Sequence, residues 1–513
     1  MPDPRDKFRP KAGLASIDDA GAGRDPERDA WLGSLRSRRP EEAVRLIDER
    51  LNMLQAAQLG AAETIAELGM ILHALTGVLA RHEAARIRDE IAVAPFEADL
   101  VGAFLMHFKR IAAWYLEAAE AVVPRWYRRS QDSVYDVALI QGATAVLHRI
   151  ELAHRVYARS SPSAWRLLCR FTKMALARGG DDGEYLQTEI ERLHARALLF
   201  ELADPNRLRP AASELLRAYL KRHGPLARIV QSRSLSVDDR RQPGVYVLDC
   251  DGRRVRRAAS GSRGEPAAGA LVLDARQLLA RLERQRAGLA AGVDPARLGL
   301  PREARQPDFQ DFLKGLASRW QGRRGRKHSR NRFLPRATVA VGFEEVLARL
   351  GARRTGTRPT AADATDRWLI INESAAGFGL SQLASPPRGI RVGDLCCVQA
   401  DGRAELHLGL IRRAQFRSPH SSVLGIELIG SNGERCEVID PSRDGHARDA
   451  KPVIRVGRLP GRTTGSGLIC SAGDVGEGEP VLLVSADGTR LARVAGVAPV
   501  ANDVDLVLLE PEP

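Results

Sequence analysis

The hydrophobic rhythm of the chain changes near residue 230, and a single-layer fold cannot accommodate both halves. Before that point, apolar side chains recur at helical spacing. Val44, Ile47, Leu51 and Leu54 form one stripe, and Ile65, Leu68, Leu72, Leu75 and Leu79 form the next. Leu100, Phe104, Phe108, Ile111 and Tyr115 make a third, while Val137, Ile140, Val146 and Leu152 follow on a segment that starts near Ser133. Further helices are expected near Ala164–Ala177, Glu184–Leu202 and Ala211–His223, the last stopped by Gly224 and Pro225. After the change, "PGVYVLDCDGRRVRRAA" reads as strand, Asp-Gly turn, strand, and helices are expected near Asp274–Gln285 and Phe309–Trp320.

Beyond Ala337 the pattern is β-rich. The expected strands are "ATVAVGF", "RWLIIN", "GFGLSQ", "DLCCVQ", "ELHLGLIRRAQF" and "SSVLGIELIG", then a second set of "PVIRVGRL", "GSGLICS", "PVLLVSA", "RLARVAGVAPV" and "DVDLVLLE". Many are separated by Asp-Gly, Asn-Gly or Pro-Gly turns, which favours small antiparallel barrels over a parallel α/β sheet. At 513 residues the chain exceeds one core, so the expectation is a multidomain α plus β protein. It divides into a flexible tail over 1–30, a helical bundle or array over 31–228 and a mixed β/α region with linker helices over 229–322. An antiparallel barrel over 323–440 and a smaller β-rich domain over 441–513 complete it.

Six cysteines (Cys169, Cys250, Cys396, Cys397, Cys436, Cys470) are scattered without a CxxC pair or matching histidines, which argues against zinc, argues against a disulfide framework and fits a reduced, cytoplasmic compartment. The N-terminus has no signal-peptide core, and the most apolar window, residues 69–80, is too short to span a bilayer and carries His73. No membrane segment and no cofactor is expected. A formal charge of +14 admits polyanion partners, although an Arg- and Ala-rich composition also follows from a GC-rich genome.

Catalytic signatures fail on inspection. "LDCDG" at Leu248–Gly252 resembles the nucleophile strand of haloacid-dehalogenase-like phosphatases, but Arg253 replaces the usual hydroxyl and no paired aspartates follow. A hairpin turn is the better reading. His148 and His154 lie six apart, which is not the i, i+4 spacing of a two-histidine metal face. "GRRGRKHS" lacks P-loop spacing, and no Gly-x-Ser-x-Gly elbow occurs, so no enzyme is expected.

The run from Arg323 to Arg336 carries seven cations and only one aromatic residue, Phe333, so single-strand stacking is poorly supported. Forty residues on, "RWLIINESAAGFGL" ends a strand in Asn372, Glu373 and Ser374 and turns through small residues to Gly377. Arg332-x-x-x-Arg336 ahead of the first strand, with Asn372-x-Ser374-x-x-Gly377 between the next two, resembles the PilZ family of bacterial cyclic di-GMP receptors over residues 328–435. A second Arg-x-x-x-Arg match, Arg354 and Arg358, leads into Pro359 and a polar loop rather than a strand. The segment between the first two strands is also long for that family.

The resemblance implies a PilZ-like barrel that binds cyclic di-GMP through Arg332, Arg336, Asn372, Ser374 and Gly377, with Arg330 as a third cation. Guanidinium forks suit both phosphate and the guanine N7 and O6 edge. It implies a cytoplasmic signalling receptor, with a protein partner expected on the helical domain. Two alternatives stand beside it: a nucleic-acid-binding protein that uses the basic run and the barrels, and a ligand-free PilZ-fold adaptor working through its helices.

Overall fold

The computed structural model describes residues 26–89, 95–122, 132–178, 183–250, 255–257, 269–322, 335–355, 367–374, 376–382, 390–418, 421–441, 450–457 and 467–510. The chain divides between Glu90 and Ile91 into two compact units. The first holds α1 (Pro26–Ser37), α2 (Pro40–Ala56) and α3 (Ala61–Asp89). Pro40 opens α2 where its missing N–H leaves no bond unmade, and Glu41 and Glu42 face the positive end of the helix dipole. Both expected stripes are buried, from Val44 to Leu54 and from Ile65 to Leu79. Arg50 and Glu67 join α2 to α3 at 3.0 Å. The window Ala61–Glu83, with mean hydropathy 1.3, is long and apolar enough to cross a bilayer, unlike the shorter apolar stretch within it, and 50% of it is buried in the protein.

The second unit begins with α4 (Pro95–Ala121), α5 (Asp132–Arg155), α6 (Pro162–Arg178), α7 (Gly183–Leu202) and α8 (Pro210–His223). The stripe on α4 is buried throughout, whereas on α5 Leu139 and Ala143 are buried and Val137 and Ile140 only half so. The reason is that α5 touches α4, α6 and α7, and its covered arc is wider than one stripe. Buried Glu151 on α5 is held by Arg196 at 2.7 Å and Arg217 at 3.4 Å, tying α5 to α7 and α8.

Four short strands follow: β1 (Arg228–Gln231), β2 (Val245–Leu248), β3 (Val255–Arg257) and β4 (Leu271–Asp274), in the antiparallel order β1-β4-β2-β3. Leu248 pairs with Val255, so the expected hairpin forms, while its Asp251-Gly252 turn lies outside the described residues. Between and after the strands come α9 (Val237–Arg241), α10 (Arg276–Ala290) and α11 (Pro307–Trp320). α10 and α11 share one apolar core with α7, α8 and the sheet. Trp320, fully buried, donates its indole N–H to Leu199 O at 2.9 Å, and Tyr246 donates its hydroxyl to Trp320 O at 2.7 Å.

Two closed barrels complete the chain. β5 (Arg336–Val341), β6 (Arg367–Ser374), β7 (Gly377–Gln382), β8 (Leu395–Ala400), β9 (His407–Ser418) and β10 (Ser421–Ser431) close in the order β10-β7-β6-β5-β8-β9. β11 (Glu434–Ile439), β12 (Lys451–Val456), β13 (Gly467–Ser471), β14 (Pro480–Ser485), β15 (Gly488–Pro499) and β16 (Val504–Leu509) close in the order β11-β12-β13-β16-β15-β14. Counted from its own first strand, each ring reads 1-2-3-6-5-4. Of the second set, β11 is the strand missing from the sequence expectations.

The long connection between β5 and β6 folds as α12 (Phe343–Thr355). Its Val346, Leu347 and Leu350 pack with Leu395 and Leu408 of the first barrel and with Ile454 and Val456 of the second. The long connection thus supplies a wedge that joins the outer faces of the two barrels. Arg354 lies on α12, and Arg358 is outside the described residues.

Candidate ligand site at one end of the first barrel

Antiparallel pairing brings six strand ends together at one mouth of the first barrel: the starts of β5, β7 and β9 and the ends of β6, β8 and β10. The β6–β7 hairpin holds the Asn-x-Ser-x-x-Gly residues. Asn372 pairs with Gly379, and Ser374 with Gly377, past a bulge at Ile371. Ser374 Oγ donates to Gly377 O at 3.2 Å, closing the turn, and Leu428 N donates to Ala376 O at 2.9 Å, fixing it against β10.

Two glycines are required here by space. A Cβ on Gly377 would sit 1.9 Å from Ile426 O, a backbone atom that cannot swing aside. A Cβ on Gly379 would lie 2.5 Å from Asn372 Nδ2, so the asparagine amide rests directly on this glycine. Asn372 and Ser374 are half-buried, leaving compact polar groups at the rim.

Arg336 is the first residue of β5 and is exposed. It pairs with Leu369, and just ahead of it Pro335 O accepts from Ile370 N at 3.0 Å. Because β5 and β6 are antiparallel, the chain enters β5 alongside the half of β6 that leads to Asn372 and Ser374. On its other side Arg336 O accepts from Asp401 N at 2.9 Å. Arg330 and Arg332 lie outside the described residues. Of the six expected site residues, the structure therefore brings Asn372, Ser374 and Gly377 into one hairpin and sets Arg336 on the adjoining strand.

Sequence reasoning missed an aromatic pair at the same mouth. The Phe378 and His407 rings meet edge-on with centroids 5.2 Å apart, and His407 Nδ1 lies 2.9 Å from Ser431 Oγ. No sequence signal marks them, because they sit on β7 and β9 with β10 between.

Elsewhere, Ser160, His154 and Glu201 converge in a way no motif announced. His154 Nε2 lies 2.7 Å from Ser160 Oγ and 2.6 Å from Glu201 Oε2. Burial pushes the Glu201 carboxyl up, but the His154 contact and the Ser160 hydrogen bond outweigh it and hold the group below its usual range. This is not a nucleophile relay. Such a relay needs the carboxylate on the second ring nitrogen, and here Nδ1 has no partner among the described residues while Ser160 and Glu201 share Nε2. His148 instead stacks on Phe108 at 5.6 Å, and burial lowers its pKa. Among the described residues no three His, Cys, Asp or Glu side chains cluster as metal ligands would.

Residues 27–233 match the family model of the N-terminal domain of the cyclic-di-GMP receptor FimW. The matched stretch runs from α1 through β1 and stops well short of the barrels. No curated protein and no solved structure matched the chain.

Proposed function

We propose that this protein is a cyclic di-GMP receptor whose ligand sits at the hairpin end of the first barrel. The observation that carries the reading is the Pro335–Ile370 hydrogen bond, which sets the start of β5, and Arg336 with it, beside the strand that leads into the Asn372–Gly377 hairpin. Arg336 and the preceding Arg332 and Arg330 then supply guanidinium forks for phosphate and guanine, while Asn372 and Ser374 supply short hydrogen-bonding groups. Gly377 and Gly379 let the hairpin close against Ile426 O and under the Asn372 amide, which holds Asn372 and Ser374 in place. The helical half supports the same ligand independently, since its family likeness is to a receptor for that nucleotide and involves none of the barrel residues.

The first barrel is read as a PilZ domain in a cytoplasmic bacterial protein that signals by binding rather than by catalysis. Its helical layer is the surface offered to a protein partner. Calorimetric titration with cyclic di-GMP, with GTP as control, tests the reading. The wild type should bind selectively, and Arg332→Ala/Arg336→Ala should weaken binding about a hundredfold or more, because each charge-assisted hydrogen bond is worth roughly 1.5–3 kcal/mol. Absence of binding by the folded wild type would sink it.

A further inference from the structure

α5 ends at Arg155, and the turn after it is built into the first barrel. Tyr157 has φ of 54°, the left-handed region that a non-glycine residue occupies only when its surroundings force it. Its side chain is 6% exposed and belongs to the core of the first barrel. The hydroxyl donates to Leu208 O at 3.2 Å and accepts from Val392 N at 3.3 Å. The Tyr157 carbonyl accepts from Phe416 N at 2.9 Å, and the two rings meet edge-on at 6.3 Å.

The turn Ile390–Asp394 that Tyr157 grips is held from the second barrel as well. Asn502 Nδ2 donates to Val392 O at 3.2 Å and to Asp394 Oδ1 at 2.8 Å, and Asn502 N donates to Gly393 O at 3.1 Å. Gly393, with φ of 98°, leaves room for this: a Cβ would lie 2.7 Å from Asn502 Oδ1 and 2.9 Å from Arg209 Nε. Helical layer, first barrel and second barrel meet at these five residues.

Beside this junction a level of buried polar side chains crosses the interior of the first barrel. Trp368 pairs with Gln382 across β6 and β7, and Ser422 on β10 continues the same level next to the Val423–Ser381 pair. All three are buried, and among the described residues Trp368 Nε1, both amide atoms of Gln382 and Ser422 Oγ have no hydrogen-bond partner. Ser422 pairs with Phe416, the residue that Tyr157 holds. β6 and β7 run from this level to the candidate ligand hairpin at their other ends, and the Ile371 bulge gives β6 a point at which to flex.

We propose that the Tyr157 turn is a latch between the helical layer and the first barrel, and that occupancy of the hairpin end by cyclic di-GMP shifts its closure. The latch rests on the reading of that hairpin as the nucleotide site. Binding at Ser374–Gly377 moves the paired ends of β6 and β7, and that movement arrives at Trp368 and Gln382, next to the gripped Phe416. Coupling of this kind is reciprocal, so loosening the latch changes ligand affinity.

Hydrogen-exchange mass spectrometry on the full chain, with and without saturating cyclic di-GMP, tests it beside titrations of wild type and Tyr157→Phe. That variant keeps the ring and removes the hydroxyl that bridges Leu208 and Val392. The expected result is an exchange rate altered at least threefold by ligand around residues 157–160 and 390–394, and a Kd shifted fivefold or more in the variant. Equal exchange in both segments while the wild type binds, together with an unchanged Kd, overturns the latch and leaves the receptor reading intact. Failure of the wild type to bind removes the receptor reading and the coupling with it.

Discussion

The two barrels share one strand order and differ at the mouth. In the first, strands two and three turn tightly through Ser374–Gly377, and an arginine begins strand one. In the second, the corresponding connection from β12 to β13 spans residues 457–466, and strand one begins with Glu434. The equivalent mouth there is a cavity of about 250 Å³ lined by Glu434, Arg455, Gly457, Leu483, Arg490 and Ala492, among others. Its Arg455 is already engaged, pairing closely with Glu434 and with Asp487 at 3.1 Å. A guanidinium neutralised by two carboxylates is a poor trap for a phosphate. On the proposed reading, the residues at the strand ends rather than the fold decide which mouth takes the nucleotide.

The largest effect that sharpens this contrast is expected at one glycine from each mouth. Gly377→Ala should cost about 3 kcal/mol of stability, on the scale of overpacking against a rigid backbone, and should abolish ligand binding. Gly457→Ala, with open space around its Cβ, should stay within about 0.5 kcal/mol. Urea denaturation of the two variants checks this, and equal costs would break the comparison.

The next effect separates the helical layer from the barrels. His194 is fully buried, with Nδ1 2.8 Å from Thr172 Oγ1, and desolvation lowers its pKa to about 3. Between the unfolded value near 6.5 and that folded value, the unfolded chain binds the proton and the native chain does not. Stability is therefore present above about pH 6.5 and declines as pH falls, by at most about 1.4 kcal/mol per unit. Circular dichroism melts at pH 7 and pH 5 should show the helical signal losing about 2 kcal/mol on this account. His194→Gln should flatten that dependence, and an unchanged slope would contradict it.

A smaller effect concerns the barrel interiors. The core of the second barrel is apolar, with Val453, Leu468, Val481 and Val507, whereas the first buries the Ser422 hydroxyl, which has no partner among the described residues. Ser422→Ala should raise stability by about 1 kcal/mol, since it removes an unmet desolvation cost. A comparable loss would mean that ordered water already satisfies the group, and hydrogen exchange near Phe416 would then be unaltered.

How much of this was legible beforehand follows from the range of each interaction. Helical stripes such as Ile65 to Leu79 and tight hairpins such as Asn372 to Gly377 are written in neighbouring residues, and both appear where the spacing placed them. β11 escaped because only Cys436 and Val438 are buried on it. α12 escaped because Val346, Leu347 and Leu350 sit among arginines and glycine in a segment marked only as a long connection, and their purpose appears only when two barrels close around them. The junction at Val392 joins Tyr157 and Asn502 across more than a hundred residues in each direction, and no local pattern encodes that. Within the site, the Asn-x-Ser-x-x-Gly residues were legible as a hairpin, whereas the Phe378–His407 pair depends on closure of the ring.

The most direct measurement sets the two mouths side by side: calorimetric titration of cyclic di-GMP into wild type, Arg336→Ala and Arg455→Ala. The account predicts that Arg336→Ala weakens binding at least tenfold, as loss of one charge-assisted contact should. Arg455→Ala, a partly exposed and internally paired arginine, should leave affinity unchanged and cost under about 1 kcal/mol of stability. Binding that survives Arg336→Ala and fails in Arg455→Ala would place the nucleotide in the second barrel and contradict the account.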